Sequence, residues 1–152
     1  MKIAVFPGSF DPFTLGHQSI VEKAIPLFDR VIIGIGVNST KSFYFDLDQR
    51  VSLIEKTFSD HTNVDVLDFS GLTVDFCSKN NAKFIIRGLR NPQDYQYESA
   101  IAQMNQSLNA EITSVFFVCD PVYAAINSSI VREIHKNGGD ISQFLPHPIA
   151  LK

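Results

Sequence analysis

The segment VFPGSFDPFTLGH, residues 5–17, leads from an apolar strand into a turn that contains glycine, proline and histidine. A loop that only connects two elements can be shorter and plainer. Gly8 lets the backbone turn sharply or approach a ligand closely. Pro12 fixes its own φ and biases Asp11 away from helix, so a turn is expected there. The segment therefore predicts a strand, a turn and a helix in close succession, an arrangement that can hold the phosphates of a nucleotide.

The helix that follows this turn is expected to begin around Gly16. Thr14 can cap it, and its free N–H groups and positive dipole end would form a site for an anion. His17 places an imidazole in the first turn. A purely structural turn with a capping threonine would explain the same residues, and a single histidine at a helix start is often only a polar cap. The loop matches neither GxxxxGK(S/T) nor GxGxxG, so the glycine pattern alone assigns no ligand.

The composition indicates one globular domain over residues 1–152, with 45% hydrophobic and 19% charged residues. A net charge of −3 argues against a broad nucleic-acid surface, although a local pocket can still be positive. No apolar run reaches the roughly 20 residues of a membrane span, and no secretory signal is evident. Cys77 and Cys119 are expected to be buried, reduced thiols, and the protein is expected to be cytoplasmic.

Short apolar runs alternate with helical patterns along the chain. Leu47, Val51, Ile54 and Phe58 form one helical stripe, and so do Tyr97, Ile101, Met104 and Leu108. Strands are predicted at residues 2–6, 30–37, 64–69, 82–88 and 113–118, and a last helix from about residue 128. This alternation predicts an α/β fold: a Rossmann-like, three-layer arrangement around a five-stranded parallel sheet.

Unusual polar residues follow the predicted strands. His17 comes after the first strand, Lys41 after the second, and Arg87 and Arg90 at the end of the fourth. SGLT (70–73) follows the third strand and YAAINSS (123–129) the fifth. Open parallel sheets bind ligands beyond the carboxyl ends of their strands. The pattern therefore predicts one site at that edge of the sheet.

Several segments resemble the phosphopantetheine adenylyltransferase family of the nucleotidylyltransferase superfamily. GSFDPFTLGH (8–17) is similar to the T/HxGH signature of the superfamily. IRGLRNPQDYQYE (86–98) and INSSIVRE (126–133) are similar to the second and third motifs of the family. NSTKSFYFDLDQRVSLI (38–54) resembles its segment after the second strand. The similarity covers nearly the whole chain with order and spacing kept, and the second motif is much more specific than the first.

The resemblance implies an enzyme of coenzyme A biosynthesis. Such an enzyme transfers the adenylyl group of ATP to 4′-phosphopantetheine and releases pyrophosphate. The acceptor phosphate is itself the nucleophile, so no general base is needed, and the task is to bring two anions together. The resemblance further implies Mg²⁺ with ATP, a homohexamer and feedback inhibition by coenzyme A. No protein ligand of Mg²⁺ is predicted, with Asp11 left as an open alternative.

For the reacting phosphates, the resemblance implies that His17 stabilises the transition state, Lys41 bridges the two substrates and Arg90 holds the β- and γ-phosphates. These three are the predicted catalytic residues. The predicted acceptor site consists of Ser9, Lys41, Thr73 and Arg87. The predicted ATP site consists of Ser9, Phe10, His17, Gly88, Leu89, Arg90, Glu98, Tyr123, Ala124, Ala125, Ile126, Asn127, Ser128 and Ser129.

Plainer interpretations stay open for the individual residues. Lys41 could be a solvated surface charge, Arg87 could form a structural salt bridge, and Glu98 could pair with a neighbouring turn of its helix. Asn127 stands where the family commonly has serine. Two other functions are also open: a nucleotidylyltransferase that uses nicotinamide mononucleotide or glycerol 3-phosphate, and a regulatory module that binds ATP without catalysis.

Overall fold

The fold is a five-stranded parallel sheet with helices on both faces, described by a computed structural model for residues 1–38 and 40–149. The order of strands across the sheet is β3-β2-β1-β4-β5. The predicted domain extends to residue 152, and its residues 150–152 lie outside the described part of the chain. The strands are β1 (Ile3–Gly8), β2 (Arg30–Gly36), β3 (Val64–Phe69), β4 (Phe84–Leu89) and β5 (Thr113–Val118).

Helices follow each strand, so the predicted α/β alternation is confirmed. The α-helices are α1 (Leu15–Ala24), α2 (Leu47–Thr57), α3 (Thr73–Lys79), α4 (Pro92–Leu108) and α5 (Ser128–Lys136). Short 3₁₀ turns occupy Pro121–Tyr123 and Ser142–Phe144. None of the helices within residues 1–38 and 40–149 is long and apolar enough to cross a membrane.

The strand order reverses between β1 and β4, where the chain returns from the β3 edge to the centre of the sheet. Ladder pairs join Ala4 to Phe84 and Val5 to Ile85. Beyond them the two strands separate, whereas β4 and β5 stay paired as far as Leu89 and Val118. A reversal of strand order at which neighbouring strands part is the usual ligand crevice of such sheets.

Alternating strand residues divide the core between the two faces of the sheet, as the two-residue period of a strand requires. One apolar cluster joins Phe6, Ile33 and Ile86 with residues of α1 and α2. The opposite cluster joins Val5, Ile32 and Ile85 with residues of α3. A third, smaller cluster joins Phe45 to α5 and the segment that follows it. Cys77 and Cys119 are free and buried, as expected.

The apolar stripe predicted on α4 forms, but most of it faces away from the core. Tyr97, Met104 and Leu108 are each at least 60% exposed, and the one buried residue of α4 is Glu98. The predicted helix is therefore confirmed, but the face that it buries is not the apolar stripe. It is the face that carries Glu98, whose carboxylate accepts hydrogen bonds from Arg87 of β4.

Candidate active site

Two cavities lie at the carboxyl ends of the strands and share a wall. The first has a volume of about 430 Å³ and the second about 270 Å³. Both are lined by Pro7, Gly8, Ser9, Arg87 and Glu98. The common wall thus consists of the end of β1 and of one ion pair, and it lies where β1 and β4 separate.

His17 lies in the wall of the first cavity, in the first turn of α1. Thr14 caps this helix, as predicted, and the two residues form a reciprocal capping box. The backbone N–H of Thr14 donates to Nδ1 of His17 at 3.0 Å. A ring nitrogen that accepts a hydrogen bond carries no proton, so the proton of the neutral imidazole is on Nε2. His17 can therefore offer Nε2–H to a ligand.

The imidazole of His17 is kept neutral. Burial lowers the pKa of His17 from 6.5 to about 4, and the positive charges of Arg87 and Arg90 add to this shift. Its ring packs edge-to-face with Phe10 at 5.1 Å between centroids, and lies 5.3 Å from Phe13. The group is thus a rigid, uncharged hydrogen-bond donor at pH 7.

Gly8 lies in the wall of both cavities, and its missing side chain also makes room for a neighbouring ring. It is the last residue of β1, and a Cβ atom built on it would lie 2.8 Å from the ring of Phe10. Phe10 is buried and adopts a left-handed φ of 49°. The missing side chain therefore makes room for a phenylalanine that packs against His17.

Arg87 and Glu98 form a bidentate ion pair between β4 and α4. Nε of Arg87 donates to Oε2 of Glu98 at 2.8 Å, and Nη2 donates to Oε1 at 2.7 Å. Nη1 donates to the carbonyl of Pro7 at 2.7 Å, which bridges the gap between β4 and β1. Both carboxylate oxygens of Glu98 thus point at Arg87, and the guanidinium, with five N–H groups, retains donors for a ligand.

Arg90 and Asp94 form a second pair at the rim of the first cavity. The carboxylate of Asp94 accepts from the backbone N–H of Arg90 at 2.9 Å and from its Nε at 3.0 Å. These bonds lower the pKa of Asp94 and raise that of Arg90. Each arginine is therefore held by a carboxylate from the same helix.

The start of α5 closes the first cavity from another side. Asn127 is the N-cap, and its Oδ1 accepts from the N–H of Ser129 at 2.8 Å. Ser128 follows the cap rather than forming it, and its hydroxyl donates to the carbonyl of Pro12 at 2.9 Å. Arg132 also lines the cavity, and its Nη1 donates to the carbonyl of Asp11 at 2.7 Å. The substitution of asparagine for serine at 127 therefore keeps a capped helix start.

Most predicted site residues lie on the cavity walls. The first cavity is lined by Ser9, Phe10, His17, Arg87, Gly88, Arg90, Glu98, Tyr123, Ile126, Asn127, Ser128 and Ser129. The second is lined by Ser9, Thr73, Arg87 and Glu98 among others. Lys41, Leu89, Ala124 and Ala125 are not among the described residues that line either cavity. Lys41 is exposed on the segment between β2 and α2.

Other lining residues were missed by the sequence reasoning. Arg132 stands inside the third motif, one helical turn after Ser128 and Ser129, and this spacing on a helix start could have identified it. Asp94 and Asn105 line the first and second cavities respectively, but they stand on α4 without a local pattern that marks them.

The described residues do not form a protein cage for a metal ion. No group of three or more His, Cys, Asp or Glu side chains within 1–38 and 40–149 could hold one. The carboxylate of Asp11, the open alternative, is buried and accepts the backbone N–H groups of Tyr44 and Phe45, each at 2.8 Å. Asp11 also lines the first cavity, and each of its carboxylate oxygens already accepts one backbone N–H group.

Comparison with known proteins identifies the relatives of this chain. The cytidylyltransferase-like family model matches residues 5–134. A phosphopantetheine adenylyltransferase of Cytophaga hutchinsonii is 50% identical over 148 residues, which are 97% of this chain and 99% of that protein. One from Flavobacterium psychrophilum is 47% identical over the full length of both chains. This chain belongs to the phosphopantetheine adenylyltransferase family.

Solved structures share the fold of this phosphopantetheine adenylyltransferase family member. A bifunctional NMN adenylyltransferase/ADP ribose pyrophosphatase from Francisella tularensis superposes with a TM-score of 0.75 at 22% identity, over 95% of this chain. The chain spans less than half of that protein, 45% of its length. A nicotinate-nucleotide adenylyltransferase of Vibrio parahaemolyticus, described as putative, superposes with a TM-score of 0.68 at 25% identity and covers 94% of that chain.

Proposed function

We propose that this protein transfers the adenylyl group of ATP to 4′-phosphopantetheine, giving dephospho-coenzyme A and pyrophosphate. The observation that carries the proposal is the pair of cavities that meet at Ser9 and Arg87. A reaction between two substrates needs two compartments that open onto one point. The larger compartment, with His17, Arg90 and the start of α5, suits ATP, and the smaller one suits the acceptor.

The reaction is a displacement at the α-phosphorus of ATP. An oxygen of the acceptor phosphate forms the new bond to this phosphorus, and the bond to the oxygen that bridges the α- and β-phosphates breaks. Pyrophosphate leaves with the electron pair. A phosphate monoester has its second pKa near 6, so the nucleophile is largely ionised at neutral pH and no base is required. The protein therefore has to position two anions and neutralise the charge that develops.

His17 is proposed to donate Nε2–H to an oxygen of the α-phosphate. Its Nδ1 is already occupied by the N–H of Thr14, so the donor needs no reorientation during the reaction. A neutral donor has a further advantage here. Its attraction for phosphate grows as negative charge builds up in the transition state. The Nε2–H of a neutral imidazole is also too weakly acidic to be transferred to the phosphate, unlike a proton of an imidazolium.

The arginines are proposed to hold the outer phosphates. Arg87, in the common wall, would bind the acceptor phosphate, and Arg90, at the rim, would bind the β- and γ-phosphates of ATP. Glu98 and Asp94 orient these guanidinium groups without using all their N–H donors. Thr73 lies in the second cavity, where the arm of the acceptor would extend. Lys41 would reach the acceptor phosphate from the exposed segment after β2.

Further properties are proposed on the family resemblance alone. Mg²⁺ would enter with ATP as part of the substrate and would neutralise part of the charge on the phosphates. A cytoplasmic location, assembly into a homohexamer and feedback inhibition by coenzyme A are likewise proposed.

The test is a coupled assay of pyrophosphate release with ATP and three acceptors. We expect turnover with 4′-phosphopantetheine, and a kcat/KM at least about 100-fold lower with nicotinamide mononucleotide or glycerol 3-phosphate. Turnover with one of these other acceptors alone would assign a different nucleotidylyltransferase. ATP binding without pyrophosphate release under all three conditions would indicate a regulatory module instead.

A further inference from the structure

The segment Phe43–Phe45 is fastened to the turn after β1 by a buried carboxylate. Asp11 is only 5% exposed. Its Oδ2 accepts the backbone N–H of Tyr44 and its Oδ1 that of Phe45, each at 2.8 Å. Two charge-assisted hydrogen bonds to consecutive backbone groups fix both the position and the direction of this segment.

A buried guanidinium fastens the same segment from the other side. Arg50, on α2, is 2% exposed. Its Nε donates to the carbonyl of Phe45 at 3.1 Å, and its Nη1 donates to the carbonyl of Ser9 at 2.9 Å. Its Cζ atom lies 4.1 Å from the centre of the Phe43 ring. One planar group therefore connects the segment directly to the cavity residue Ser9.

The fastened segment begins two residues after Lys41. Lys41 itself is exposed, and its backbone N–H donates to the carbonyl of Asn38 at 3.0 Å. A two-residue tether spans at most about 7 Å, so the position of Phe43 limits where the ammonium group of Lys41 can go. Movement of Phe43 would therefore move the backbone position from which the side chain of Lys41 extends.

We propose that Asp11 and Arg50 are positioning residues that set the reach of Lys41 toward the reacting phosphates. This inference rests on the proposed function, in which Lys41 binds the acceptor phosphate. The two residues connect the segment before α2 with the turn after β1 that carries Ser9 and Phe10. They would therefore fix the position of the Lys41 segment relative to the turn that is proposed to bind ATP.

The use of charged groups at these two positions supports a role in positioning. Burial of two ions costs several kcal/mol each before their interactions are counted, and apolar replacements of similar volume are often as stable. Burial lowers the pKa of Arg50 while Asp11 and Asp46 oppose that shift, so the charge is retained in a dry setting. Directional bonds to Ser9, Tyr44 and Phe45 provide what an apolar side chain could not: one fixed geometry.

The experiment is a double-mutant cycle between Arg50→Lys and Lys41→Ala, read as kcat/KM for 4′-phosphopantetheine. Lysine keeps the charge at position 50 but cannot bond both carbonyl groups and stack on Phe43 at once. We expect Arg50→Lys to lower kcat/KM by about 10-fold when Lys41 is present, and by less than about 2-fold in the Lys41→Ala background. The Kd of ATP should change by less than about 3-fold in both backgrounds.

Ile54→Val is the matched control, because Ile54 is a buried residue of α2 that belongs to the core on one face of the sheet. It should lower the unfolding temperature while leaving kcat/KM within about 2-fold. If Arg50→Lys does not fold, the same cycle is run with Phe43→Leu, which removes the aromatic face at a partly exposed position.

The outcomes are distinguishable. If Arg50→Lys lowers kcat/KM by the same factor with and without the side chain of Lys41, the inference is overturned, since Arg50 would then support only the fold. Unchanged activity of Lys41→Ala would overturn it as well, because no effect could then pass through Lys41. A wild-type protein without adenylyl transfer would contradict the proposed function itself.

Discussion

Arg87 and Lys41 are both proposed to bind the acceptor phosphate, yet they are held in opposite ways. The guanidinium of Arg87 lies between two cavities, with three hydrogen bonds to Glu98 and Pro7. Lys41 is exposed and lies outside the described lining of both cavities. The guanidinium of Arg87 is thus fixed by protein contacts, whereas under the proposed function the exposed side chain of Lys41 would be ordered by the ligand on the segment that Asp11 and Arg50 hold.

The two arrangements have different costs. A cation fixed in the wall between two cavities requires a buried carboxylate to offset its charge, and this carboxylate weakens its attraction for phosphate. A cation on an exposed segment is solvated without such a partner, but ordering it on binding costs side-chain entropy. The proposed site therefore combines a fixed half, His17 with the arginines, and a recruited half, Lys41, which the ligand would order.

The most severe test of the fixed half is His17→Ala. Removal of a donor that acts in the transition state should lower turnover by about 100-fold or more, with much less change in ATP affinity. His17→Gln, which can place an amide N–H near the position of Nε2, should retain more activity than alanine. His61→Ala, at an exposed histidine, serves as the control. Near-normal pyrophosphate release by His17→Ala would remove this residue from the reaction.

The recruited half is tested by Lys41→Ala. Because this side chain is solvated in the absence of ligand, its loss should change the free energy of unfolding by less than about 0.5 kcal/mol. The kcat/KM for 4′-phosphopantetheine should nevertheless fall by about 10- to 100-fold. Lys56→Ala, an exposed lysine on α2, should change neither quantity. A large loss of stability in Lys41→Ala would mean that Lys41 belongs to the fixed half.

Unlike Lys41→Ala, the variant Glu98→Gln is expected to lose stability as well as affinity for the acceptor. The amide can accept from one N–H of Arg87 but opposes the other, so a buried ion pair is broken on one side. We expect a loss of about 2 kcal/mol in unfolding free energy together with a raised KM for the acceptor. Asp94→Asn changes the more exposed pair with Arg90 and should cost less than about 1 kcal/mol. Equal losses in the two variants would contradict the distinction between the wall and the rim.

The parts of the fold that depend on local patterns were predictable from the sequence. Apolar runs located all five strands to within two residues, and Thr14 marked the start of α1. These signals act over a few residues, through helix caps and side-chain periodicity, so they can be read from a short window.

Features that depend on distant partners were not predictable in the same way. The pairing of Arg87 with Glu98 spans eleven residues and two elements, and it turns a polar face of α4 toward the sheet while Tyr97 and Met104 stay exposed. The contact of the Phe10 ring with Gly8 depends on the left-handed φ of Phe10, which the sequence does not indicate. Such choices are settled by tertiary packing, which no local pattern encodes.

The smallest expected effect is a pH signature of the fixed half. The pKa of His17 is about 4 in the folded protein against 6.5 ordinarily, so between these values the unfolded chain binds more protons than the folded one. Stability therefore decreases as the pH falls from 6.5 toward 4. Because His17 is partly exposed, we expect a contribution on the order of 1–2 kcal/mol.

Chemical unfolding at pH 7 and pH 4.5 measures this contribution as the difference between the wild type and His17→Gln, which cancels the other titrating groups. His61→Gln should behave like the wild type. A parallel loss of stability in the wild type and in His17→Gln would mean that the imidazole is free to take up a proton. It would then belong with Lys41 among the groups that a ligand must organise, and the division of the site into a fixed and a recruited half would have to be redrawn around the arginines alone.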